Sequence, residues 1–176
     1  MSRLTCLATI LALALLPVLS FAEDPLDELT LVGTDRPIDG VIVKETFREV
    51  VLRVANAQVI FPQDRVQGIR YGRTPLFYAE AIRQTRAGRW DEAESSWTKV
   101  LEESRSRQGR ALFVPHALFE RAEVRLAVGR LEEARDDLKT FVADHPDGKR
   151  IVDAHRRLVR CLMRLGDRPG AMEAGK

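Results

Sequence analysis

The chain has 176 residues, with 28 lysines and arginines against 26 acidic residues and a formal net charge of +2 at neutral pH. That near balance lacks the basic surplus that nucleic-acid binding requires, so no nucleic-acid partner is expected. The two cysteines, Cys6 and Cys161, are too few for a disulfide framework.

Residues 1–22 read as a secretory signal. Arg3 gives a positive start, Leu7 to Leu19 is an apolar run broken only by Thr9 and Pro17, and Ser20-Phe21-Ala22 sets small residues where a signal peptidase cuts. The apolar run is shorter than the roughly 20 residues that cross a bilayer, so no integral membrane span is expected after cleavage. The mature chain then begins at Glu23, with a linker over 23–28, and is periplasmic or secreted. Cys6 precedes the apolar run and cannot serve as a lipoprotein cysteine. Cys161 remains as the one mature cysteine, without an intramolecular partner, on an apolar helix face as a buried thiol.

Residues 29–72 alternate with period two and are rich in β-branched side chains, which predicts about five short strands. Val41 and Val43, then Val50, Leu52 and Val54, then Val59 and Phe61, each share one face of a strand. Gly33-Thr34-Asp35-Arg36 reads as a turn, Ala55-Asn56-Ala57 closes a hairpin, and Pro62 ends a strand. Gly40 inside a strand marks a bulge or sharp bend. The run from Asp39-Gly40-Val41-Ile42-Val43 to Val59-Ile60-Phe61-Pro62, continuing to Gly68-Ile69, resembles a small Sm-like or SH3-like barrel. That resemblance implies a closed five-stranded β-barrel-like domain, giving an α+β chain. The stacking aromatics and basic loop of a single-strand nucleic-acid binder are missing.

From Pro75 to Lys176 the apolar period is helical. Thr74 is placed to cap a helix that Pro75 begins. The phrase Gly88-Arg89-Trp90-Asp91-Glu92-Ala93 recurs as Gly129-Arg130-Leu131-Glu132-Glu133-Ala134 and, worn, as Gly166-Asp167-Arg168-Pro169-Gly170-Ala171, at spacings that suit stacked helical hairpins. The first hairpin is expected over Pro75 to Ala87 and Trp90 to Ser104, and the second over Pro115 to Val128 and Leu131 to Asp144. The third is truncated. The signature of small Ala81 and Ala122, then Gly88 and Gly129, Trp90 and Leu131, Ala93 and Ala134, Trp97 and Leu138, and closing Pro146 resembles the tetratricopeptide repeat (TPR), with Gly166 marking the third copy. Glu80, Gln84, Arg121 and Arg125 depart from that pattern, standing where the family has leucine or an aromatic residue.

No His-Glu-x-x-His pair, nucleophile elbow, phosphate loop or Cys-x-x-Cys occurs, so no catalytic residue, metal or cofactor is assigned and no enzyme is expected. His116 and Glu120, four apart on one helix, read as a surface hydrogen-bonded pair. By register, the TPR resemblance implies an inner groove presenting Tyr78 and Ile82, then Phe119 and Glu123, then Arg156 and Arg160. It implies a protein or peptide partner with apolar residues and an acidic end held by the arginines. The other reading of these residues is ordinary packing for Tyr78 and Phe119, with Arg157, Arg160 and Arg164 a solvated stripe. The β-domain is expected to cover the first hairpin, and self-association or a partner the truncated third. A non-enzymatic envelope adaptor or scaffold follows; the alternatives are a structural subunit of an envelope assembly and an accessory factor of an envelope enzyme.

Overall fold

The computed structural model describes residues 25–175, so the expected signal segment lies outside the described residues. The fold is α+β: a five-stranded antiparallel sheet followed by six α-helices among the described residues. The strands are β1 (Asp27–Leu31), β2 (Ile38–Glu45), β3 (Glu49–Val54), β4 (Ala57–Pro62) and β5 (Val66–Arg70), with a 3₁₀ turn over Gln63–Arg65 between the last two. β1 starts inside the segment read as a linker. The strand order is β4-β3-β2-β1-β5, and the sheet is open, with β4 and β5 as its edges and not paired to close a barrel. Its core is Leu29, Ile42, Val50 and Leu52, with Phe61, Ile69, Tyr71 and Leu112 packed around them.

Two details of the strands differ from the sequence reading. On β2 the face bearing Val41 is outward, and Gly40 and Ile42 are buried instead. Gly40 marks close approach to β3, since a Cβ there would lie 2.6 Å from the Arg53 carbonyl oxygen and 2.9 Å from Leu52 Cγ. The register shift itself falls two residues later, between Ile42 and Lys44. The β3–β4 hairpin closes at Val54 and Ala57, with Ala55 at φ 51°.

The helices are α1 (Tyr78–Arg86), α2 (Trp90–Arg105), α3 (Phe113–Ala127), α4 (Leu131–Asp144), α5 (Ile151–Arg164) and α6 (Arg168–Ala174). α1 begins later than Thr74-Pro75 suggested: Phe77 occupies the N-cap, and the Pro75 carbonyl accepts from Tyr78 N–H in a preceding turn. The three repeated glycines close the first helix of each hairpin in the same way. Gly88, Gly129 and Gly166 have φ of 70°, 81° and 80°, and the amide after each reaches back to the first helix: Arg89 to Gln84, Arg130 to Arg125, Asp167 to Leu162. Nothing lies within 4 Å of a Cβ built on Gly129, so Gly129→Ala carries only the left-handed backbone penalty. A loss of about 1 kcal/mol in urea unfolding is expected from that strain.

Each helix packs chiefly on the next, from α1 on α2 through α5 on α6. Trp97, Leu118, Phe119, Leu138, Phe141 and Leu162 form the long core they share. Trp97 and Leu138 are buried, whereas Trp90 remains 37% exposed and lies against Gly88. Two of the four polar departures from the repeat pattern, Arg121 and Arg125, form a network between helices, whereas Gln84 donates to Glu80 within α1. Arg121 forks onto Asp137 at 2.9 and 2.7 Å, and Arg125 spans Asp137 at 2.7 Å and Glu94 at 2.9 Å. Arginine forks therefore join α2, α3 and α4 where apolar side chains would otherwise interlock. The third hairpin has a second helix of seven residues: the Asp167 carboxylate accepts from Gly170 N–H at 2.9 Å and starts α6.

The sheet meets the array chiefly at the connections preceding α3 and α5, not over the first hairpin as expected. Thr46 forms an isolated antiparallel bridge with Gly148, Phe47 N–H donates to the Asp147 carbonyl, and Leu112 joins the core of the sheet.

Candidate functional site

The end of β2 delivers a carboxylate into this junction. The Glu45 side chain is only 1% exposed and accepts from the Tyr71 hydroxyl at 2.7 Å, faces His116 Nε2 at 3.2 Å and accepts a hydrogen bond from the Lys149 ammonium. Burial by itself would raise the Glu45 pKa, but hydrogen bonds from His116, Lys149 and Tyr71 outweigh it and hold the group at about 2. The Tyr71 hydroxyl is pushed far up, by burial first and then by the Glu45 charge. Glu45 is thus ionised at neutral pH with its oxygens occupied, and Tyr71 stays protonated. Neither is poised to exchange a proton with a substrate. The cluster joins sheet to helices.

A second buried carboxylate makes the other joint. Asp27 accepts from Ile42 N–H at 2.7 Å and Gly72 N–H at 2.9 Å, and Arg110 forks onto it at 2.9 and 2.6 Å. Arg110 also donates to the Arg73 carbonyl at 2.8 Å.

Two depressions flank His116 and Glu120, which line both. One, of about 110 Å³, is floored by Leu112, Pro115, Phe119 and Phe141 and rimmed by Glu45, Lys149 and Arg150. The other, of about 250 Å³, lies between α1 and α3 and is lined by Tyr78, Ile82, Thr85, Arg86 and Trp97. Tyr78 sits edge-on to Trp97 at 5.6 Å and to Phe113 at 5.0 Å, and Trp97 Nε1 donates to Thr85 at 3.0 Å. Burial, then the charges of Glu120 and Glu45, pushes the Tyr78 pKa up to about 12.

Tyr78 and Ile82 therefore come together as the register implied. Phe119 is 1% exposed, packed on Phe141 with the Arg150 guanidinium 4.1 Å above its ring, so it contributes a floor and no free surface. Glu123 is tied to Arg157 at 2.9 Å, and burial raises its pKa. Arg156 and Arg160 are elsewhere: they border a shallow depression at the far end of the array with Val152, His155 and Val159, and Arg156 pairs with Asp153 at 3.2 Å. The acidic-end clamp is thus separated from the aromatic trough. His116 faces Glu45 in place of the expected bond to Glu120.

Glu45, Tyr71 and Lys149 carry no local sequence signal, because their meeting depends on contacts 26 to 104 residues apart. Neither known protein-family models nor curated proteins give a match to this chain. Among the described residues no helix is long and apolar enough to cross a membrane, and no group of three His, Cys, Asp or Glu is placed to hold a metal ion. Cys161 is buried, its thiol donating to the Leu131 carbonyl at 3.1 Å, with its pKa raised by burial.

Proposed function

We propose that the protein is a non-enzymatic binding module of the bacterial cell envelope, which takes up an extended peptide or protein segment along the first helices of its TPR-like hairpins. The observation that carries this reading is the trough between α1 and α3, where the part-exposed aromatic and aliphatic surface of Tyr78 and Ile82, backed by the buried Trp97, is bordered by Arg86, His116 and Glu120. An apolar floor with a few polar groups at its border suits a side chain anchored by burial and a backbone oriented by hydrogen bonds. The identical glycine closures of the three hairpins support the TPR-like reading. The strand order and the 3₁₀ turn before β5 support a small SH3-like or Sm-like unit that stiffens the array. The saturated Glu45 and Asp27 clusters favour a scaffold over acid–base chemistry. The periplasm is the proposed compartment, from the signal-like first 22 residues.

Selection from a displayed peptide library against the chain starting at Glu23 is expected to enrich sequences with apolar anchors. Ile82→Arg is expected to weaken the selected peptides about tenfold or more, as loss of an interface anchor does, while leaving the urea midpoint within a small margin of the parent. Enrichment of no peptide, or binding indifferent to Ile82→Arg, would sink the reading. A structural subunit is the second reading, favoured by exposed Val152 and Met163 on α5 and Met172 on α6.

A further inference from the structure

The β4 edge is left open in a way the other sheet edge is not. β5 carries Gly68 and the charged Arg70, paired to Glu28, and its register with β1 shifts between Thr30 and Leu31. Such irregularity and charge discourage strand addition. β4 has neither. Its sequence, Ala57-Gln58-Val59-Ile60-Phe61-Pro62, contains no charge, and its register with β3 runs unbroken from Glu49 opposite Pro62 to Val54 opposite Ala57. Val59 is 39% and Ile60 61% exposed.

The hydrogen-bond phase of the strand is fixed by Gln63 N–H donating to the Arg48 carbonyl, which sets Arg48 and Gln63 opposite each other at a hydrogen-bonding position of the register. Stepping by two along the antiparallel register, Phe61, Val59 and Ala57 also bond inward to β3. The amides and carbonyls of Gln58 and Ile60 consequently point away from the sheet, and Pro62 has no N–H to offer there.

We infer that β4 is a self-pairing edge: two copies of the chain join their β4 strands antiparallel about a twofold axis at Val59, making one continuous ten-stranded sheet. This register sets Gln58 of one copy against Ile60 of the other, so the two N–H groups and two carbonyls of Gln58 and Ile60 in each copy are all used. Moving the axis to Ile60 would set Gln58 against Pro62 and forfeit donors. A second copy suits this edge because the strand bears no charge, so two copies meet without like-charge repulsion, and because a twofold pairing places identical apolar Val59 side chains directly opposite. The inference is independent of the peptide trough, which lies on α1 and α3.

The test uses the chain from Glu23. Equilibrium sedimentation is expected to give a dimer, and Ile60→Lys to weaken it about tenfold or more by placing a charge in the paired strand. Gln58→Pro, which removes an outward N–H without touching the bonds to β3, should act alike, while Met163→Lys on α5 should leave the dimer intact. Val59→Cys is expected to form an intermolecular disulfide under mild oxidation, since directly opposed non-hydrogen-bonded positions bring side chains close; Gln67→Cys on β5 should not. Circular dichroism and the urea midpoint establish that each variant is folded. A folded parent that stays monomeric, a dimer broken by Met163→Lys and not by Ile60→Lys, or a Val59→Cys chain that fails to cross-link overturns the proposal. So does a foreign strand adding to β4 of a monomer.

Discussion

Asp27→Ala is expected to lower the free energy of unfolding by about 3–5 kcal/mol, the cost of removing one partner from a buried ion pair. The carboxylate is 1% exposed and meets four donors from three parts of the chain: Ile42 on β2, Gly72 after β5, and both terminal nitrogens of Arg110 before α3. Alanine leaves two amides and a guanidinium, itself 19% exposed, without that acceptor. Asp27→Asn should cost less, because an amide oxygen still accepts while the charge is lost. Arg110→Ala should destabilise comparably. The double substitution should cost clearly less than the two together, since each single change already breaks the same contact. Urea denaturation of the four proteins measures all of this; a loss below about 1 kcal/mol for Asp27→Ala would mean that the fork is no stronger than a surface pair.

The helical half was legible because its determinants are local. A glycine forced to positive φ, an acidic first turn and an apolar period act within a few residues, so α4 occupies the very span its sequence predicts, Leu131–Asp144. The sheet was harder for the same physical reason in reverse. Val41 looks like a core residue beside Ile42 and Val43, and only the approach of Leu52 and Arg53 to Gly40 decides which face is inward. Asp27 reads as a polar linker residue because nothing near it in sequence pairs with it; its partner Arg110 is 83 positions away. Tyr78 and Ile82, one helical turn apart, could be placed together from sequence. Arg156 and Arg160 share their helix face as well, but the stacking of the hairpins carries that face to another end of the molecule.

The same long-range character gives the Glu45 joint a signature in pH. Its pKa falls from 4.5 for an unperturbed glutamate to about 2 in the folded chain, because the hydrogen bonds from His116, Lys149 and Tyr71 overcome the burial penalty. The unfolded chain therefore takes up the proton first as acid is added. The stabilisation is complete above pH 4.5 and is lost as pH falls towards 2, about 3 kcal/mol in all for a shift of this size in a buried group. Tyr71 acts at the opposite extreme: its hydroxyl is held protonated, so its contribution is intact below the ordinary tyrosine pKa of 10.0 and declines as pH rises above it. Glu45→Gln keeps an acceptor in place and removes the titration, so it should lower stability at neutral pH and flatten the acid limb between pH 4.5 and 2. Urea unfolding of both proteins at fixed ionic strength across that range is the measurement. An acid limb equally steep in Glu45→Gln would assign the acid sensitivity to other carboxylates and leave the sheet-to-helix joint without its charge.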